Sequence, residues 1–147
     1  MPPLSVVAAI IQDEKGKILC AQRSATMALP ELWEFPGGKI EAHEDAHTAI
    51  IREIEEELGC LIEVNTHLVT TPHPPEQPTI ELICLLCHLH TGTPIAREHS
   101  QLRWLEPSEL GQLDWCPADR PAVRLLQHAA AIHKQPQTAH TQTYTPS

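Results

Sequence analysis

Apolar side chains run without a break from Val6 to Ile11, and polar residues close the run at Gln12-Asp13-Glu14-Lys15-Gly16. A β-branched run of this length, bounded by turn residues, predicts a strand over Leu4–Gln12. A return strand over 17–23 completes a hairpin. Residues 24–31 show no period and read as a loop; 32–35 form a short extended piece ended by Pro36-Gly37-Gly38. Over 45–58 the period becomes that of a helix, which stops at Gly59, a residue suited to a helix C-terminus. Strands follow at 60–70 and 79–90, separated by the proline-rich stretch 71–78, and a turn at 91–94 leads to a short strand at 101–105. A short helix at 107–113 precedes an amphipathic one at 119–134, whose apolar side is Val123, Leu125, Leu126, Ala129, Ala130 and Ile132. The Thr/Gln/Pro-rich residues 135–147 lack a period and are expected to form a disordered tail. Strands, helix, strands, helix in this order predict an α+β fold, a mixed sheet sandwiched between helices, in one domain over 1–134.

Composition adds little to that architecture but narrows the chemistry. Fourteen prolines in 147 residues are about twice the usual ~5% and suggest many fixed loop positions. Aromatics are few (Trp33, Phe35, Trp104, Trp115, Tyr144). The net charge is −9, and most of it falls in one place. Residues 31–57 hold nine carboxylates (Glu31, Glu34, Glu41, Glu44, Asp45, Glu53, Glu55, Glu56, Glu57) against Lys39 and Arg52, a net of −7. An acidic chain without a basic stripe is not expected to bind a nucleic acid polymer. A six-residue apolar run is far short of the ~20 of a membrane span, and no basic segment precedes it as in a targeting peptide. Five cysteines without framework spacing favour a reducing, cytoplasmic setting.

On a helical wheel at ~100° per residue, with Glu53 at 0°, Glu57 falls near +40° and Glu56 near −60°. Ala46 and Ala49 share that face, while Ile50, Ile51, Ile54 and Leu58 form the core stripe. Three like charges on one face destabilise a helix, and their place toward its C-terminal half opposes the macrodipole. A solvated acidic face is the plain reading. A hard cation with oxygen ligands, such as Mg²⁺ shared with substrate phosphates, is the reading that offsets both costs.

The spacing around the carboxylates favours the second. From Gly38 it runs Gly38, five residues, Glu44, seven residues, Arg52-Glu53-Ile54, one residue, Glu56-Glu57, one residue, Gly59-Cys60. This resembles the Nudix box, G-x5-E-x7-R-E-U-x-E-E-x-G-U, with Cys60 in place of the final aliphatic residue. Trp33-Glu34-Phe35-Pro36-Gly37-Gly38-Lys39-Ile40-Glu41 is similar to the MutT and CTP pyrophosphohydrolase branch. So are Ala21-Gln22-Arg23 and Trp115-Cys116-Pro117-Ala118-Asp119. The resemblance covers about residues 4–133.

It implies the Nudix fold and hydrolysis of a nucleoside diphosphate linked to a second group. In the MutT-like branch, water attacks a nucleoside triphosphate and gives a monophosphate and pyrophosphate. By position, it implies Glu53, Glu56 and Glu57 as metal ligands with the carbonyl of Gly38 or Gly37. Mg²⁺ is the expected ion and Mn²⁺ the alternative. Glu53 is the first candidate general base and Glu98 the second, or a further ligand; a solvated Glu98 is the plain reading. Glu44 and Arg52 are expected to brace the loop against the helix. Arg23 and Lys39 are candidate phosphate contacts or ordinary surface cations, and Glu34 falls among the substrate-binding positions. Phe35 or Trp115 could stack on a base or pack in the core. Asp119 reads as the N-cap of the last helix, and by resemblance as the residue that reads the base, suiting CTP as well as 8-oxo-dGTP.

Cys84 and Cys87 stand three apart on a strand and should point to opposite faces, and no second pair completes a zinc site. None of the ten histidines is assigned a role. The partner expected is a small nucleotide, with no nucleic acid polymer and no membrane, for a monomer or homodimer. The alternatives are a Nudix hydrolase of a sugar nucleotide, dinucleoside polyphosphate or coenzyme, or a non-catalytic nucleotide-binding module.

Overall fold

A computed structural model describes residues 4–72 and 80–133. Its strands are β1 (Leu4–Gln12), β2 (Ile18–Gln22), β3 (Trp33–Glu34), β4 (Gly37–Lys39), β5 (Leu61–Pro72), β6 (Ile80–Thr91) and β7 (Gln101–Leu105). Helix α1 spans Ala46–Leu58 and α2 spans Arg120–His133, with 3-10 turns at Pro107–Gln112 and Pro117–Asp119. Most of the expected loop 71–78, and the expected tail 135–147, lie outside the described residues.

The sheet is mixed. β1 runs parallel to β6 along its whole length, from Leu4 opposite Ile80 to Gln12 opposite His88. Its other edge is shared: β4 takes Val6, Val7 and Ala8, and β2 meets it only where Gln12 pairs with Ile18. A strand with neighbours on both edges and layers on both faces needs apolar side chains at every position. Val7, Ala9 and Ile11 join the cluster under α1, with Ile50, Ile54 and Leu58. Ala8 and Ile10 join the cluster on the other face, with Trp33, Phe35, Leu110, Val123 and Leu126. Cys84 and Cys87 fall in opposite clusters, as their spacing requires.

Helix α1 has local signals at both ends. Asp45 Oδ1 accepts the Thr48 N–H at 2.7 Å, and Gly59, at φ +69°, closes the helix with its N–H on the Glu55 carbonyl. Helix α2 departs from the expected apolar side. Ala122, Val123 and Leu126 are buried, whereas Leu125 and Ile132 are 42% and 52% exposed. At ~100° per residue the latter pair lies more than ~100° from the centre of the buried group.

Candidate active site

Segment 33–39 builds the floor of the site. β3 pairs with Ala21 and Gln22 of β2, the chain passes Phe35-Pro36, and β4 pairs with β1. Pro36-Gly37-Gly38, read from the sequence as the end of the extended piece, does not end it: Gly37 and Gly38 are extended and neither has positive φ. What they supply is closeness. A Cβ on Gly37 would collide with the carbonyl oxygen of Val7, and one on Gly38 with the carboxylate of Glu53.

α1 lies across that floor, tied down through Arg52. Its Nε and Nη2 reach the two oxygens of Glu44 at 2.6 and 2.8 Å, a two-pronged ion pair. Nη2 also donates to the Lys39 carbonyl at 3.1 Å, and Glu44 accepts the Glu41 N–H at 3.0 Å. The guanidinium holds the Glu44 carboxyl below the usual carboxylate range, helped by that N–H. Arg52 Nη1 touches Glu53 at 3.1 Å and Glu56 at 3.2 Å.

The Glu57 carboxyl is pushed well up, first by burial, then by the adjoining Glu53, then by the charges of Glu34 and Glu98. Carboxylates from α1, β3 and the loop before β7 therefore bear on one region. Glu56 is turned outward to Arg52 and is 60% exposed. Among the described residues, no three His, Cys, Asp or Glu side chains are gathered at metal-holding distance. The chemistry of the set nevertheless suits a divalent cation. The donors are all oxygens, as Mg²⁺ prefers. Arg52 meets Glu53, but every charge bearing on the neighbouring Glu57 is another carboxylate, and Gly38 has no side chain to fill the space before Glu53.

Beside the carboxylates a cavity of about 170 Å³ is lined by Arg23, Leu29, Glu34, Phe35, Leu82 and Asp119, among others. Asp119 is 5% exposed. It ends the 3-10 turn that runs into α2, and its Oδ1 accepts the N–H of Phe35 at 3.0 Å. The expected N-cap role is thus corrected: the side chain reaches across the fold rather than along its own helix. Burial pushes its carboxyl up to about 8 and Glu34 adds to the shift, against the Phe35 N–H and Arg23.

Trp115 takes the core alternative. It is 4% exposed, its Nε1 donates to Leu110 O at 2.7 Å, and its ring lies 4.7 Å behind that of Phe35. Arg23 is engaged within the protein, with Nε on Ala28 O at 2.5 Å and Nη1 on Glu34 Oε1 at 2.7 Å. It thereby holds the loop whose Ala28 and Leu29 line the cavity. Lys39 is exposed on β4 beside Gly38. Sequence reasoning passed over Arg97 and His99, which flank Glu98. Arg97 Nη1 donates to the carbonyls of Glu55 and Glu56, and His99 Nε2 meets Glu34 Oε2 at 2.8 Å. Their partners lie 41 to 65 residues away, so no local pattern marks them.

A family model described as NUDIX domain matches residues 1–126. The CTP pyrophosphohydrolase of Escherichia coli K12 is 39% identical over 130 residues, covering 84% of this chain and 90% of that protein. A putative 8-oxo-dGTP diphosphatase 2 of Mycobacterium tuberculosis H37Rv is 40% identical over 126 residues, covering 80% and 88%. The solution structure of the MutT protein (Nudix hydrolase family) from methicillin-resistant Staphylococcus aureus 252 superposes with a TM-score of 0.71. It is 43% identical, over 88% of this chain and 99% of that one.

Proposed function

The chain belongs to the Nudix hydrolases, which act on nucleotides, and we propose that its reaction converts a nucleoside triphosphate and water to a monophosphate and diphosphate. The substrates proposed are oxidised or modified nucleotides such as 8-oxo-dGTP, or CTP and dCTP. The observation that carries this reading is the juxtaposition of two features. Glu34, whose charge bears on Glu57 of the Glu53–Glu57 pair, also lines a cavity walled by Phe35 and Asp119 and sized for a ring rather than for a whole nucleotide.

Divalent cations, Mg²⁺ or Mn²⁺, would supply neutralisation of the phosphates and a more acidic water. Glu53, Glu56 and Glu57, with the Gly38 carbonyl, would hold them, and Glu98 would complete the set. Glu53 accepts a proton from the attacking water as a P–O bond of the bridge between the α- and β-phosphorus breaks, and the bridging oxygen leaves with the bonding electron pair, giving monophosphate and diphosphate. Phe35 offers its ring to the base. Asp119 offers an acceptor when ionised and a donor when protonated, so it can meet an amino group or a carbonyl of the base. Arg23 and Glu34 fix the cavity wall. Arg52 and Glu44 hold α1 against the loop that carries Gly38.

The test is a panel of initial rates with Mg²⁺ on 8-oxo-dGTP, dGTP, CTP, dCTP and 5-methyl-dCTP, with product analysis. Pyrophosphate release is expected from one or more of them. If every triphosphate is inert while a sugar nucleotide or dinucleoside polyphosphate is cleaved, the substrate assignment fails. Glu53→Gln is expected to lower kcat by about 10²–10⁴-fold with the fold intact; near-normal turnover would remove Glu53 as the base.

A further inference from the structure

We infer that Arg97 and His99 form a two-point clamp that sets Glu98 against the carboxylates of α1, both acting as positioning residues. The inference rests on the proposed part of Glu98 in holding the cation.

The chain between Gly92 and β7 passes back over the C-terminus of α1. The Ile95 N–H donates to the Leu58 carbonyl at 2.9 Å. Arg97 then places its guanidinium on the Glu56 carbonyl at 3.1 Å, which the helix leaves unmet, and on that of Glu55 at 3.3 Å, which also takes the Gly59 N–H. A cation there also meets the negative end of the helix dipole. The position needs Gly59: a Cβ on that residue would stand 2.6 Å from Arg97 Nη2. Two residues on, His99 is buried and reaches Glu34. Beyond it, the Ser100 N–H donates to the Gln22 carbonyl at 2.9 Å. Glu98 is held between these anchors, and its charge is one of those bearing on Glu57.

The state of the imidazole supports a specific role. An ionised carboxylate only accepts, so Nε2 must donate to Glu34. Nδ1 is buried without a partner. A buried polar atom without a partner is costly, and an apolar residue in its place would avoid the cost. The cost is offset by the bond that Nε2 makes. Arg23 holds one oxygen of Glu34 and His99 the other. The same ring thus fixes a wall of the cavity and the segment that carries Glu98.

The test compares His99→Gln, whose amide N–H can take the place of Nε2, with His99→Asn, whose amide falls short of Glu34. Assays use the full chain with Mg²⁺ and the best nucleotide of the panel, and folding is checked by NMR fingerprint. Mn²⁺ binding without nucleotide is read by electron paramagnetic resonance. His99→Asn should lower kcat by about 10–100-fold and weaken Mn²⁺ binding, with KM little changed, and His99→Gln should restore most of both. With Glu98→Gln added, His99→Asn should cost no more than Glu98→Gln alone. Equal effects of Gln and Asn, a change confined to KM, or full additivity with Glu98→Gln would overturn the clamp. If Glu98→Gln alone leaves kcat and Mn²⁺ binding at wild-type values, the fault lies in the role given to Glu98. Ring ¹⁵N shifts of His99 should show hydrogen on Nε2; the other tautomer would also overturn it.

Discussion

Two neighbouring glycines are required for different reasons, and substitution separates them. At Gly37 an added methyl meets backbone, the carbonyl of Val7, which cannot yield without moving β1. Gly37→Ala should therefore cost about 3 kcal/mol of stability, the upper part of the overpacking range, measured by urea unfolding. At Gly38 the methyl meets the far end of a flexible side chain, Glu53. Gly38→Ala should fold with nearly wild-type stability yet lose most of its kcat, because the displaced group is the one that chemistry needs. The reverse pattern, a stable Gly37→Ala or an active Gly38→Ala, would contradict these contacts. Asp119 supplies a second residue-scale test. Its folded pKa, raised to about 8, exceeds the ~3.9 of an unfolded aspartate. The folded state then binds more protons than the unfolded one between about pH 4 and 8, so this contribution to stability is lost as pH rises through that window. Asp119→Asn keeps an oxygen for the Phe35 N–H and cannot ionise. Its melting temperature relative to wild type should rise steadily from pH 5 to pH 8, and a flat difference would refute the assignment.

Elements with strong local signals were legible from the sequence. β1 has the bounds its apolar run predicts, and α1 starts one residue later than its period suggested. Its ends depend on single groups. Asp45→Ala removes the side-chain acceptor at Thr48 N–H and should lower the melting temperature by about 4 °C. The wheel also places Glu53, Glu56 and Glu57 on one face, because helical spacing alone decides that. It could not show that Arg52 draws Glu56 outward. β4 was missed for a physical reason: two glycines carry no strand preference, and the strand exists only because β1 leaves an edge free some thirty residues away. The apolar side of α2 was drawn too wide, since composition could not tell Leu126, which meets the sheet, from Leu125, which does not. Within the site, the least legible contacts are the most distant ones, Phe35 with Asp119 and Glu34 with His99.

Over the whole molecule, two apolar clusters on either side of one sheet enclose Cys20, Cys60, Cys84 and Cys87, and Cys116 is buried in the cavity wall. Burial pushes the thiols of Cys20, Cys84, Cys87 and Cys116 up to about 12, and raises that of Cys60. Since the thiolate is the reactive form, a disulfide reagent at pH 8 should modify essentially none of them in the folded protein. All five should react once it is unfolded in denaturant. Rapid reaction of Cys20, Cys60, Cys84 or Cys87 in the native state would show that a cluster opens. Among the described residues no helix is long and apolar enough to cross a membrane, in keeping with apolar surface spent on these two layers.

The pairing of β1 with β6 also sets a schedule for biosynthesis. Of the described strands, the first to leave the ribosome, β1, is flanked on both edges in the finished sheet, and its parallel partner begins only at Ile80. At ~5–20 residues per second, roughly 3–14 s pass between the emergence of Gln12 and that of Ile80. Through that interval Val6–Ile11 has neither its parallel neighbour nor the last helix to cover it. The segment that anchors the native sheet is therefore also the one that a nascent chain most needs to keep from aggregating.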